Sequence, residues 1–426
     1  MKIFDKIKKT CLLLVVVAVS FTACNKLDLD AVPNTQPTQA TTPTLATLLD
    51  DPSFSLLKAA VTKAGLLPTL GVPTLRFTIF APDDAAITAS LTPILPPGVT
   101  PALYIASLTP EAANALISYH VIPQVIPAAS IPGSFPNFQY PTLLNPAPSI
   151  SALLRLTTFP SVRSNGAWVN NVPIIATDIQ AVNGVLHKVF RVIAPPQRFL
   201  WDTAASTTTN PNFSIFADPN LSFLKAAIIR ADSGVAAGGR LLDALTNIGA
   251  NLTIFAPTDD AMKAFLIGAI TRALVGQGLP ANVAQGQATF LVTTYGILIL
   301  TNPYLISPVL GAVITPTLAK GIVAYHVLSA QSGTYAPPGI RVFSVNLPST
   351  PMAVKTLLNS AVTVHPGVIV QAMFVSPVPG VSVVTDATVK GAANATASNI
   401  IVGPTTSDLH FVNGVMHKID QVLLPQ

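Results

Sequence analysis

The chain has 426 residues, half of them apolar and only 10% charged, with 23 basic and 18 acidic side chains. That length holds two or three domains, each with a core of its own, and a charged share far below the usual ~25% leaves Thr, Ser, Asn, Gln, Pro and Ala to cover the surface. The formal charge of +5 is concentrated at the N-terminus; without residues 1–23 the chain keeps 19 basic and 17 acidic groups, a net +2, which gives no basis for nucleic-acid binding.

Lys2, Lys6, Lys8 and Lys9 precede a short apolar run from Cys11 to Phe21. This is the pattern of a secretion signal over residues 1–23, too short to remain as a membrane span. Phe21-Thr22-Ala23-Cys24 resembles a bacterial lipobox, so Cys24 is expected to carry a lipid anchor, and Asn25 behind it favours the outer membrane. Cys11 leaves with the signal and Cys24 is acylated, so disulfides, thiolate metal sites and cysteine catalysis are not expected. Residues 24–44, with Pro33, Pro37, Pro43 and many threonines, read as a tether.

Beyond the tether four segments recur in the same order. Asp51-Pro52-Ser53-Phe54 with Leu56-Leu57-Lys58-Ala59-Ala60 returns at Asp218-Pro219-Asn220-Leu221 with Phe223-Leu224-Lys225-Ala226-Ala227. Thr78-Ile79-Phe80-Ala81-Pro82 returns unchanged at residues 253–257, and Tyr119-His120-Val121 returns as Tyr325-His326-Val327. Asn183-Gly184-Val185-Leu186-His187-Lys188 returns as Asn413-Gly414-Val415-Met416-His417-Lys418. The chain therefore divides into one domain at 45–196, a polar linker at 197–211 and a second domain at 212–426. The offset between matches grows from 167 to 175, 206 and 230, so the second copy carries insertions, the largest between residues 262 and 324. Its apolar stretch from Phe290 to Leu300 reads as added core.

Each repeated segment has a local physical reading. Phe54, Leu57, Val61 and Ala64, like Leu221, Leu224, Ile228 and Ala231, fall on one face of a helix. Thr-Ile-Phe-Ala-Pro is a short buried strand ending at a proline; the carboxylates or Thr258 that follow suit the free N–H groups of a helix start. Asn183-Gly184 and Asn413-Gly414 mark turns, on the ground that both residue types tolerate positive φ, and the strands that follow bury His187 and His417. His120 and His326 close an apolar helical segment; with His187 or His417 they number two imidazoles per copy, and no shared position adds a third ligand, so no metal is expected. There is no Gly-x-Ser-x-Gly or His-Glu-x-x-His motif, and Glu111 is the one glutamate, so no catalytic residue is assigned.

Taken together, these motifs resemble the fasciclin domain. The Thr-Ile-Phe-Ala-Pro block, the Tyr-His pair and the Asn-Gly-Val-Leu/Met-His block, running on to Pro195 or Pro425, stand in the family's order in both copies. The resemblance implies two tandem α+β domains, each a wedge of short strands packed with several helices. It also implies extracellular adhesion or interaction without cofactor or catalysis, with the family's interaction motif carried onto Tyr119-His120 and Tyr325-His326. The expectation is a lipid-anchored envelope protein that binds proteins or polysaccharide; the alternative is a carrier of a small apolar ligand, held in a pocket formed by the second copy's insertions.

Overall fold

The computed structural model describes residues 42–133, 137–203, 213–328, 340–378 and 381–425. The expected signal, Cys24 and most of the tether lie outside the described residues, as do residues 204–211 of the linker and residue 212 after it. Residues 43–426 form one compact unit. No helix among the described residues is long and apolar enough to cross a membrane.

The first copy begins with helix α1 (Ser55–Lys63), whose Phe54, Leu57 and Val61 stripe is buried as the spacing predicts. Strand β1 (Phe77–Pro82) follows and is buried along its whole length. Helices α2 (Asp84–Leu91), α3 (Pro101–Ser107) and α4 (Pro110–Tyr119) come next, each opened by a side-chain cap from Asp83, Thr100 or Thr109. After α4 the chain enters β2 (Val121–Ile122), and later β3 (Pro160–Arg163), β4 (Gly166–Val169), β5 (Val172–Ala181) and β6 (Gly184–Val189). These make one sheet in the order β2-β1-β6-β5-β4-β3. The β1–β6 pair is parallel and every other pairing is antiparallel.

The second copy repeats the centre of this arrangement residue for residue. Helix α5 (Ser222–Ala231) stands for α1, and β7 (Leu252–Pro257) stands for β1. A long α6 (Asp259–Gly276) takes the place of α2. The insertion then adds α7 (Ala281–Tyr295) and three short helices before α8 (Pro316–Tyr325), the counterpart of α4. Strands β8 (Met352–Val354), β9 (Val368–Val378), β10 (Val381–Lys390) and β11 (Ser398–Asn399) form a separate four-stranded sheet. Strands β12 (Leu409–Phe411) and β13 (Gly414–Ile419) join β7 in a three-stranded one. Phe77 faces Gly184 across the parallel pair of the first copy, and Leu252 faces Gly414 in the second.

The insertion is core on one side only. Ile270, Leu274, Ala284, Ala288, Val292, Ile299 and Leu300 are buried in the second copy's core, each large aliphatic contributing roughly 1.5–3 kcal/mol by leaving water. Phe290, however, is 60% exposed and Leu298 49%, so the apolar stretch expected to be added core is core along one face and surface along the other.

The expected linker also needs correcting at its start. Leu200 is fully buried in the second copy's core, and its N–H donates to Asn413 Oδ1. Val412 N–H donates to the carbonyl of Arg198, just as Val182 N–H donates to that of Pro43 in the first copy. Residues 198–200 therefore dock into the second copy as residues 43–45 dock into the first. Composition hides this because the attachment is made through backbone groups.

Candidate functional site

The repeated motif residues gather around the parallel strand pair of each copy. Tyr119 and Tyr325 are fully buried, and His120, His326, His187 and His417 are 0–1% exposed. Tyr119 donates its hydroxyl proton to Thr157 O and accepts from Asn170 Nδ2. Tyr325 donates to Gly367 O and accepts from the N–H of Ala392. Burial raises the pKa of both phenols, so they stay neutral donors. No face of the Tyr-His pair reaches solvent, so a partner would have to read the surface above it.

The histidines spend both ring nitrogens on backbone. His120 Nδ1 lies 2.9 Å from Leu116 O, and Nε2 accepts the N–H of Ile193. His326 does the same with Ile322 O and Leu423 N–H. Burial pushes both rings down to about 4, against the opposing pull of their carbonyl partners. His187 and His417 use the other tautomer: Nδ1 accepts from Asp178 or Asp408 N–H, so Nε2–H donates to Ile126 O or Val342 O. A metal ligand needs a free nitrogen lone pair, and in these four rings the acceptor nitrogen is already taken. No cluster of three or more metal-ligating side chains occurs among the described residues.

Asn183 and Asn413 serve a purpose different from the one their turn position suggests. Neither has positive φ. Asn183 Oδ1 accepts the N–H of Leu45 while its Nδ2 donates to Leu70 O and Val72 O. Asn413 ties Leu200 to Leu245 O in the same way. Each side chain is a buried staple that fastens the start of its own copy. The glycines do carry a steric demand: a Cβ on Gly184 would sit 1.9 Å from Phe77 O, and on Gly414 2.7 Å from Leu252 O. Close approach of the two parallel strands excludes any side chain there.

Several carboxylates act in ways the sequence reading passed over, although each is repeated. Asp84 and Asp259 accept from the backbone and hydroxyl at the starts of α1 and α5. Asp178 and Asp408, five residues before each Asn-Gly, take φ of 58° and 54°, which aims their N–H groups at the histidines. Their common spacing was the available signal. His410 offers no such signal, because Gln180 occupies the matching position.

The two copies meet across a hydrogen-bonded seam. Asn137 donates to Arg341 O and Asn346 Oδ1, Asn346 donates to Ser161 Oγ, and Asn165 donates to Val345 O. Phe159, Trp168, Phe343, Val345 and Val415 form one apolar cluster drawn from both copies. The guanidinium of Arg341, 3% exposed, lies 4.8 Å from the Phe159 ring centroid. Its Nη groups donate to His410 Nε2, Phe411 O and Val412 O. Burial pushes it down to about 10, so it remains charged at neutral pH.

The space the insertion lines with Phe265, Leu266, Leu300, Leu318 and Ile322 holds only about 30 Å³, far below the ~300–1,000 Å³ of small-molecule sites.

The structure thus defines a duplicated α+β scaffold in which each copy is organised by one parallel strand pair with a buried histidine. The fasciclin domain family model matches residues 52–195. The chain is 30% identical over 165 residues to protein sll1483 of Synechocystis sp., which spans 37% of this chain and 78% of that protein. It is also 30% identical over 165 residues to transforming growth factor-beta-induced protein ig-h3 of Sus scrofa, covering 36% of this chain and 20% of that one. A solved FAS1 domain pair from the insect cell adhesion molecule fasciclin I covers 87% of this chain and 95% of its own at a TM-score of 0.29 and 14% identity, too slight a likeness to argue from. The chain belongs to the fasciclin-domain family, with two fasciclin-like domains in tandem.

Proposed function

We propose that this protein is a cell-envelope adhesion protein, lipid-anchored at Cys24 in the outer membrane, that binds other proteins or polysaccharide through its tandem domains and performs no catalysis. Fasciclin domains are associated with cell adhesion and interaction. The observation that carries the reading to a surface is the outward face of the insertion. Phe290 is 60% exposed, Tyr304 63% and Leu305 85%, on helices that the first copy lacks. Large apolar and aromatic side chains left in water are favoured anchors for a partner. Two weakly binding domains on one tether would also gain by avidity. Protein and glycan arrays probed with residues 43–426 test the proposal. Binding that is lost in a Phe290→Ser, Leu305→Ser double variant supports it, and binding unchanged in that variant removes the insertion from the account. Labelling of intact cells with a lipid precursor, comparing the chain with its Cys24→Ser variant, tests the anchor.

A further inference from the structure

A large open groove lies along the helices of the first copy. Helices α2, α3 and α4, the Asn170-Asn171 turn and the segment from Arg191 to Gln197 surround a cleft of about 570 Å³, to which His410 of the second copy also contributes. That volume is within the range of small-molecule sites. Positions 90, 91, 94, 112 and 116 of this cleft correspond to Phe265, Leu266, Ala269, Leu318 and Ile322, which line the second copy's residual 30 Å³. The same scaffold positions therefore surround an open cleft in the first copy and a much smaller space in the second.

The chemistry of the lining is lopsided. Leu91, Ile94, Tyr104, Leu108, Leu116 and Val192 give it a long apolar wall, and Ile94 is left 58% exposed. Among the described residues no aspartate or glutamate lines it. Its polar members, beside the hydroxyl of Tyr104, are Ser90, Asn170, Asn171, Arg191, Gln197 and His410. Ser90 and Asn170 already have partners within the fold. Asn171, Arg191 and Gln197 are exposed, and the Arg191 guanidinium lies 5.9 Å from the Phe190 ring centroid, with no carboxylate partner among the described residues.

His410 adds an observation that points the same way. Of six histidines, His120, His187, His326, His365 and His417 have both nitrogens engaged by backbone. His410 Nε2 accepts from Arg341, which fixes the remaining proton on Nδ1, and that nitrogen has no partner among the described residues. Arg341 behind it is a buried cation whose partners are neutral, so the positive potential at this end of the groove is uncompensated.

We propose that the cleft binds a single-chain amphiphile with a carboxylate head, of the long-chain fatty-acid class. The chain lies along the apolar wall, and the carboxylate is taken by the Arg191 cation together with the neutral donors of the lining. A neutral hydrocarbon would leave Arg191 and the Nδ1–H of His410 unanswered, and a sugar would leave the aliphatic wall in water. The inference stands apart from the adhesion proposal and uses different residues.

The test is displacement of the fluorescent fatty acid cis-parinaric acid from residues 43–426, by oleate and by oleyl alcohol. Oleate is expected to compete at one site per chain, at least ten times more strongly than the alcohol. Ala112→Trp, at an exposed lining position, should weaken oleate at least tenfold with an unchanged melting curve. Arg191→Gln should weaken oleate at least fivefold and leave the alcohol within twofold. The Phe290→Ser variant, outside the lining set, should bind as the parent does. Absence of saturable displacement, or displacement indifferent to Ala112→Trp, overturns the site. Equal competition by acid and alcohol, unmoved by Arg191→Gln, overturns the carboxylate assignment.

Discussion

The two copies place a lysine after the same histidine and neutralise it with different acids. Lys188 Nζ lies 2.7 Å from Asp83 Oδ2, with the two side chains 28% and 17% exposed. Lys418 Nζ lies 2.6 Å from Asp218 Oδ2, with exposures of 6% and 1%. Asp218 matches Asp51, and Asp83 matches Thr258. In the first copy Asp83 both caps α2 through Ala86 N–H and meets the lysine. In the second Thr258 keeps the cap on Ala261 N–H but carries no charge, and the lysine turns inward to Asp218. The Asp218 oxygen nearest Lys418 is off the line of a proper hydrogen bond, so that contact is ionic. A partly buried pair and a fully buried pair thus do one job, and a helix cap survives in both because threonine and aspartate can each accept an N–H.

What the copies share should fail together, and the largest shared effect is acid. His120 and His326 sit near 4 when folded, below the ordinary 6.5 of an unfolded histidine. Below pH 6.5 the unfolded chain takes up protons that the folded one refuses. Stability is therefore full above pH 6.5 and falls as the pH drops toward 4, by roughly 3 kcal/mol for each ring. Denaturant titrations at pH 7 and pH 4.5 check this, and a His120→Gln, His326→Gln chain should show a flatter profile. A stability flat across that interval would contradict the buried neutral tautomers.

The lysine pairs separate the copies. Asp218→Ala strands a buried ammonium and should cost about 3–5 kcal/mol. Asp83→Ala removes a cap and a half-exposed pair, and should cost about 1–2 kcal/mol. Unfolding midpoints of the two variants measure the contrast, and equal losses would mean that burial does not distinguish the pairs. The staples give a smaller and symmetric effect. Asn183→Ala and Asn413→Ala each leave a buried leucine N–H without an acceptor, which should cost about 1–3 kcal/mol. Amide exchange would localise it: Leu45 should lose protection in the first variant and Leu200 in the second.

A second contrast between the copies is the groove. The helices that close over the second copy's core leave the first open by about 570 Å³. The apolar run of the insertion is divided between core and surface: Val292, Ile299 and Leu300 are buried, and Phe290 and Leu298 face solvent.

Much was determined by the sequence alone, and for a local reason. Periodicity placed Phe54, Leu57 and Val61 on one face of α1, and the repeated Thr-Ile-Phe-Ala-Pro and Val-Leu-His blocks are short buried strands, because burial on a helix or strand leaves its period in the residues themselves. The duplication was legible because both copies must satisfy the same strand register. What only the tertiary structure decided depends on segments distant in the chain. The acid that meets Lys418 lies 200 positions upstream, and the carbonyl and N–H groups that occupy the histidines belong to residues with no motif of their own. Asn183 holds Leu45, 138 positions away, through backbone atoms that every residue shares. Which groove stays open, and that His410 of one copy lines a cleft in the other, follows from how the two cores dock, and docking leaves no period in either sequence.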